Sequence, residues 1–398
     1  MEGKSRIEDF LGTAPVEVAA GGAPQGAWWK WKFLAVFACL GLAFQLWGAP
    51  AFGSAADIPL SGDAYKTQLS GFQSRINAAG FPGRTTVVLD RGRAAESASY
   101  IVKTLGDALN ARGDRLRNFG IVLEIKANTG GTFGCAYQEK NNPESRLFDL
   151  GIILPNPQDA TARQKAASYA DVDESRPLRG DFALSTEAFS TFTLHHEGLG
   201  HETEGADLMG PGVDCFSPYT LHLCELRADI AGVIGLARRD GNTKNARIIG
   251  HLRDLGAFNE DNAKYNTGAG IMAVCDALDE TLANPEAARD FLTSSPQRML
   301  EMVNSFFDGL KPSPKEYDFQ NKVLEAAAKS GEAPASLADI RPDAHLSAAV
   351  LTLLMRVDRA ERNLLAPQTE EGRPQSHLSA WAKNRPAAPT PNPAFRMP

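Results

Sequence analysis

The pattern of apolar and polar positions divides the chain into a mixed first part and a helical second part. In residues 57–183, runs rich in β-branched residues predict three strands, at Arg84–Asp90, Gly120–Lys126 and Phe148–Leu154. Between the first two, apolar residues with helical spacing predict a helix at Ala94–Ala111. We therefore expect a small sheet with a helix packed against it in this part of the chain.

Residues 184–365 carry helical spacing almost throughout. Ser185 suits the cap position of the first helix, whose buried side would carry Phe189 and Phe192. The remaining predicted helices are Tyr219–Arg239, Thr243–Leu255, Gly268–Leu282, Pro285–Phe291, Pro296–Leu310, Pro314–Lys329 and Ala344–Val357. The predicted fold class is α+β and predominantly helical.

Both ends of the chain lack these patterns. Residues 1–32 are expected to be a disordered leader, and residues 366–398 a disordered, proline-rich tail. Lys30 and Lys32 precede an uncharged segment, residues 33–56, which contains an apolar run of signal-peptide length. This segment predicts a cleaved signal peptide or an uncleaved membrane anchor. Either one implies export, to the periplasm or to the outer face of the inner membrane.

Composition narrows the class of protein further. Of the 398 residues, 43% are apolar, which is enough to bury a sizeable core. A net charge of −7 argues against nucleic acid or an anionic membrane surface as the partner. Four cysteines follow the N-terminal segment, and Cys215 and Cys224 are spaced for a disulfide bond across a turn. Free thiols are the alternative.

Histidines and acidic residues are concentrated in one stretch. Four of the seven histidines lie between residues 195 and 222, and the segment 196–201 is HEGLGH. At about 100° per residue, an i,i+5 pair on a regular helix is splayed by roughly 140°, against about 40° for i,i+4. A regular helix could not present both side chains to one metal ion. We therefore predict a π-type bulge that brings His196 and His201 together. Gly198 and Gly200 would let the backbone distort there at low steric cost.

Two carboxylates follow on the next predicted helix. Glu225 lies 24 residues after His201, beyond a loop that lets the chain return as an antiparallel helix. Glu225 and Asp229 are spaced i,i+4 and share one face of that helix. One of them can bind a metal ion together with the two histidines, while the other orients a ligand histidine.

The segments HEGLGH (196–201) and ELRAD (225–229) resemble the paired motifs HExxGH and ExRA(E/D) of the dipeptidyl peptidase III-like zinc metallopeptidases. The resemblance implies a Zn²⁺ ion held by His196, His201 and Glu225, with Glu197 as the catalytic glutamate and Asp229 in the second acidic place. It also implies a zincin-like catalytic domain with a small mixed sheet beside a metal-binding helix. It covers about 34 of the 398 residues. The catalytic machinery is carried over, and the removal of dipeptides from a free amino terminus is not.

In such an enzyme, Glu197 takes a proton from the attacking water and later delivers it to the leaving amine. The developing oxyanion needs a donor opposite the metal, and Tyr265 is a candidate for this role. Further candidates for the donor are His222, His251 and Arg227. A competing ligand set replaces Glu225 by Asp207, which stands six residues after His201.

Two functions are compatible with this sequence. The first is an exported zinc metallopeptidase whose peptide or protein substrate pairs with an edge strand, for which Phe148–Leu154 is the candidate. The second is a zinc-stabilised binding module without turnover, tethered to a membrane through residues 33–56. A binding module has no need of a carboxylate beside the metal, so Glu197 favours the enzyme.

Overall fold

The computed structural model describes residues 55–78, 84–131, 134–139, 141, 149–170, 172, 177–204, 208, 213–214, 216–257, 264–329 and 344–366. None of the helices in these ranges is long and apolar enough to cross a membrane. The predictions for residues 1–54 and 367–398 lie outside the described residues, as do those for Asp207 and Cys215.

The fold is α+β and predominantly helical, as the sequence predicts. The strands are β1 (Thr85–Val88), β2 (Cys135–Glu139) and β3 (Leu150–Leu154). The first helices are α1 (Gly62–Ala78), α2 (Arg91–Glu96), α3 (Ala98–Asn110), α4 (Gly120–Asn128), α5 (Ala162–Ala170) and α6 (Thr186–His195). The others are α7 (Pro218–Asp240), α8 (Lys244–Gly256), α9 (Gly268–Ala283), α10 (Pro285–Leu292), α11 (Pro296–Leu310), α12 (Pro314–Lys329) and α13 (Ala344–Leu364).

The three strands form a mixed sheet in the order β1-β3-β2, with β3 parallel to β1 and antiparallel to β2. The prediction that Phe148–Leu154 is an edge strand is therefore wrong, because β3 pairs on both sides. All five residues of β3 are buried. Its sequence, LGIIL, lacks alternation, which is the pattern of a strand covered on both faces. Among the described strands, β1 and β2 are the two edges of the sheet, and β2 is the edge strand antiparallel to β3.

The predicted strand Gly120–Lys126 is also wrong, since this segment forms helix α4. Ile121, Val122 and Ile125 are buried, whereas Leu123 is 72% exposed. Burial on one side at helical spacing overrides the strand preference of β-branched residues. The predicted helix Ala94–Ala111 is confirmed in its main part, but it divides at Ser97, which caps α3.

The two faces of the sheet pack against different layers. Leu150, Ile152 and Leu154 of β3 join a core that includes the apolar side of α3: Ile101, Leu105 and Leu109. Gly151 and Ile153 point to the opposite face, where Ile153 joins the larger core built around α6 and α7. Because successive side chains of β3 point to opposite faces, one face of the sheet packs against the core that contains the histidine-bearing segment.

The helical second part agrees with its prediction. Ser185 caps α6 by accepting a hydrogen bond from the Ala188 amide, and Phe189 and Phe192 are fully buried. Helix α7 ends at Gly241, whose φ of 64° is the left-handed conformation that glycine adopts easily. Helices α8, α9 and α11 pack around α7, whose central turns contribute Ile230, Val233 and Ile234 to the core.

Candidate metal centre

The chain leaves α6 through a single π-helical turn, His196–Gly200, which is followed by a 3₁₀ turn, His201–Thr203. The predicted π-type bulge is confirmed. The extra residue in the turn brings the two rings together, with the Nε2 atoms of His196 and His201 3.2 Å apart. A regular helix would have pointed these side chains in diverging directions.

Close packing requires the two glycines of this turn. A Cβ atom on Gly200 would lie 2.4 Å from the Cα atom of Ala228 on α7. One on Gly198 would lie 2.6 Å from the ring of Phe72 on α1. Gly200 has a φ of −83° and a ψ of −88°, outside the regular helical range, so the backbone distorts at this glycine as predicted. Both glycines also let the turn approach its neighbours closely.

Helix α7 brings the third candidate ligand to the two histidines. Glu225 Oε2 lies 3.7 Å from His196 Nε2, and Glu225 Oε1 lies 3.9 Å from His201 Nε2. One ligand atom from each of the three residues falls within 4.8 Å of the others. In the part of the chain that the structure describes, this is the group of three such side chains that could hold a metal ion.

A carboxylate stands behind each of the two imidazoles. His196 Nδ1 lies 3.0 Å from Asp229 Oδ1, and His201 Nδ1 lies 2.8 Å from Glu204 Oε1. An Nδ1–H bonded to a carboxylate leaves the Nε2 lone pair available for a metal ion. Asp229 thus stands where the sequence predicts a carboxylate that orients a ligand. Glu204 was missed in this role, although its position three residues after His201 is visible in the sequence.

Glu197 is the second residue of the π turn. It is 6% exposed, and burial raises the pKa of its carboxyl above the ordinary value. Its Oε1 is 3.5 Å from the position that a Cβ atom would take on Gly134, the residue before β2. The Glu197 carboxylate therefore lies beside the start of an edge strand, in a poorly solvated place.

The electrostatic potential at the site is negative. Burial lowers the pKa of His201, but the carboxylates of Glu204 and Glu225 outweigh this effect and raise the pKa to about 10. Burial works against the charge of Asp229, yet the Arg253 guanidinium outweighs it and holds the pKa of this carboxyl far below its usual range. The potential that favours a proton on His201 also favours a metal cation between the ligands.

Tyr265 lies close to the candidate ligands. Its ring stacks on the guanidinium of Arg253, which is 4.6 Å from the ring centroid and 3.5 Å from Glu225 Oε2. Burial raises the pKa of Tyr265 well above the ordinary value, with a further contribution from Glu225. At neutral pH this phenol keeps its proton and can act as a hydrogen-bond donor.

The other predicted oxyanion donors have different partners. Arg227 donates to the carbonyl oxygens of Leu199 and Gly200 and to Thr203 Oγ1, so it binds the end of the π turn. His222 Nδ1 lies 3.1 Å from the carbonyl oxygen of Lys264. His251 Nε2 lies 3.1 Å from Asn363 Nδ2 on α13, away from the site.

His195 was not predicted to be a ligand, and its side chain contacts other residues than the candidate ligands. Its Nδ1 lies 2.9 Å from the Thr191 carbonyl oxygen, and its ring packs edge-on against Phe72. Burial lowers its pKa to about 4, so it is a neutral core residue. Gly235 of α7 leaves room for this ring, because a Cβ atom there would lie 2.2 Å from it.

Comparison of the chain with models of known protein families, with curated proteins and with solved structures found no match. The resemblance to the dipeptidyl peptidase III-like enzymes therefore rests on the two sequence motifs alone.

Proposed function

We propose that the chain is a zinc-dependent metallopeptidase with a zincin-like catalytic domain. The observation that carries the proposal is the convergence of His196, His201 and Glu225, with a buried glutamate, Glu197, next to the first ligand. Two imidazoles and one carboxylate are a common ligand set of catalytic zinc sites, which keep a further position open for water or substrate.

The donor set favours zinc over the hard divalent cations. Two imidazole nitrogens and one carboxylate oxygen, here within 4.8 Å of one another, are donors that zinc takes in small sets of three or four. Calcium and magnesium instead take six or more oxygen ligands.

Charge in the immediate surroundings also favours a divalent cation. Three carboxylates, those of Glu204, Glu225 and Asp229, belong to the group of side chains at the two imidazoles. The guanidinium of Arg253 contacts two of these carboxylates. This set has two excess negative charges when the imidazoles are neutral, and a divalent ion would neutralise them.

In the proposed reaction, Glu197 is the general base and then the general acid. A raised pKa brings its basicity closer to the working pH, which suits a group that both accepts and returns a proton. When bound, zinc would supply Lewis acidity toward the substrate carbonyl and lower the pKa of water. Tyr265, protonated and stacked on Arg253, would donate a hydrogen bond to the developing oxyanion.

The substrate would bind as an extended peptide along β2. Gly134, at the start of this strand, lies beside Glu197, and the Gln138 side chain donates to the carbonyl oxygen of His201. Main-chain hydrogen bonds to an edge strand hold a peptide without dictating its sequence. We therefore expect a peptide or protein substrate, bound across the π turn.

The proposal includes export of the chain. It rests on the uncharged segment 33–56 and the lysines before it, which would direct the remaining chain out of the cytoplasm or anchor it in the membrane. A net charge of −7 gives no reason to expect a nucleic-acid partner.

Cleavage of a quenched-fluorescent peptide library by the full chain tests the proposal. Zinc-dependent cleavage by the wild type should fall at least about 100-fold in Glu197→Gln, which keeps the shape of the side chain and removes the base. Glu187→Gln, an exposed exchange on α6, is the matched control and should cleave normally. Zinc binding without cleavage by the wild type would contradict the peptidase and favour the binding module.

A further inference from the structure

Arg253 of α8 joins the candidate metal centre from outside both sequence motifs. Its Nε lies 2.8 Å from Asp229 Oδ2, and its Nη2 lies 2.7 Å from Asp229 Oδ1. The same Nη2 is 3.5 Å from Glu225 Oε2. One guanidinium therefore contacts a candidate ligand and also the carboxylate behind another ligand.

Two aromatic rings hold this guanidinium in place. Its central carbon is 4.5 Å from the ring centroid of Tyr169 and 4.6 Å from that of Tyr265. The Arg253 side chain is 5% exposed. Because a buried charge is costly unless it is paired, the guanidinium needs the carboxylates of Asp229 and Glu225 as partners in this position between the two rings. Stacking also restricts the planar group to one orientation.

The contacts form a continuous chain to the metal ligands. Arg253 donates hydrogen bonds to both oxygens of Asp229, and Thr267 Oγ1 also donates to Asp229 Oδ2. Asp229 is fully buried, and its Oδ1 faces His196 Nδ1 at 3.0 Å. Its carboxylate therefore has little freedom to rotate away from the His196 ring. The direct contact with Glu225 restricts the third ligand in the same way.

We propose that Arg253 is a positioning residue of the metal centre, which orients His196 through Asp229 and Glu225 directly. This inference rests on the proposed function, because it takes the three residues as zinc ligands. It assigns Arg253 no contact with substrate. The packing of α8 against α7 sets the position of Arg253. The guanidinium and its N–H donors therefore come from a different helix than Glu225 and Asp229.

The test is the zinc dissociation constant of the full chain, measured by competition with a chromophoric chelator. Arg253→Met should weaken zinc binding about 10- to 100-fold, as is typical for loss of an outer partner of a metal ligand. Arg253→Lys keeps the charge but loses the fork, so we expect an intermediate loss. Arg247→Met is the matched control, since this arginine of α8 pairs with the exposed carboxylates of Asp276 and Asp279.

A double-mutant cycle separates this role from general support of the fold. If Arg253 acts through Asp229, the loss in Arg253→Met with Asp229→Asn will be smaller than the product of the single losses. A product of independent losses would overturn the proposal, as would unchanged zinc binding by a folded Arg253→Met or Arg253→Lys protein. Circular dichroism establishes folding, and Arg253→Lys decides the matter if Arg253→Met does not fold. Absence of zinc binding by the wild type would instead contradict the proposed function itself.

Discussion

At the scale of single residues, the role of each candidate ligand histidine depends on the carboxylate behind it. Asp229 Oδ1 lies 3.0 Å from His196 Nδ1, and Glu204 Oε1 lies 2.8 Å from His201 Nδ1, while the two Nε2 atoms are 3.2 Å apart on the other side of the rings. His195, one residue earlier, bonds to a backbone carbonyl and stays in the core. Neighbouring histidines of one segment thus differ in function because their hydrogen-bond partners differ.

Glu204→Ala should weaken zinc binding about 10- to 100-fold, because His201 loses the acceptor that orients its ring. The measurement is the zinc dissociation constant by chelator competition. Glu301→Ala, an exposed exchange on α11, is the control and should bind zinc like the wild type. Unchanged binding by a folded Glu204→Ala protein would show that His201 needs no such partner.

The sequence was sufficient to nominate His196, His201, Glu225 and Asp229, because their spacing and residue types restrict the chemistry. Glu204 was within reach as the i+3 neighbour of His201. Arg253 was not within reach, since nothing in the local sequence connects it to ELRAD. Only the packing of α8 against α7 brings its guanidinium to Asp229.

At the scale of elements, the π turn lies between the sheet and α7. Gly198 faces Phe72 and Ile153 on one side, and Gly200 touches Ala228 on the other. Arg227 donates to the carbonyl oxygens at the end of the turn and to Asn304 of α11. The position of His201 therefore depends on the contacts of the π turn with α1, β3 and α7 as well as on its own backbone.

Gly200→Ala should lower the free energy of unfolding by about 1 to 3 kcal/mol, because its Cβ atom would overlap the α7 backbone, which cannot move aside easily. Urea unfolding measures this. Gly106→Ala on α3 is the same exchange with open space around it, and it should stabilise by about 0.5 to 1 kcal/mol. Equal effects of the two exchanges would contradict the close contact.

The π turn was predictable because HEGLGH leaves few ways to bring two histidines to one ion. The order of the sheet was not. The strand β2, with the sequence CAYQE, is short and partly polar, and its pairing with β3 depends on contacts distant in the sequence. Helix α4 was predicted as a strand because its β-branched residues favour strands. Its helical burial pattern depends on packing in the core that it shares with α3, which the local sequence does not reveal.

At the scale of the whole molecule, a buried ionisable group also lies outside the candidate metal centre. Lys165 of α5 is 3% exposed, with its Nζ 5.9 Å from the ring centroid of Phe189. Its pKa is lowered from the ordinary 10.5 to about 7, mainly by burial and also by Arg91, while Asp159 opposes the shift. Such an amine links the stability of the fold to pH.

Between pH 7 and 10, the unfolded chain holds a proton on Lys165 that the folded chain has lost. The free energy of unfolding of the wild type should therefore rise with pH, by up to about 1.4 kcal/mol per pH unit more than that of Lys165→Met. Urea unfolding at pH 7 and pH 9 measures this difference, with the exposed exchange Lys66→Met as the control. Equal pH slopes for the wild type and Lys165→Met would contradict a buried, deprotonated amine.

The central claim is that His196, His201 and Glu225 together hold one metal ion. Elemental analysis of the purified full chain, after dialysis against zinc and removal of unbound metal, tests this most directly. We expect about one zinc ion per chain in the wild type and almost none in His201→Ala or Glu225→Ala. A wild type without bound metal, or variants that retain zinc at the wild-type ratio, would contradict the ligand set on which the proposed function depends.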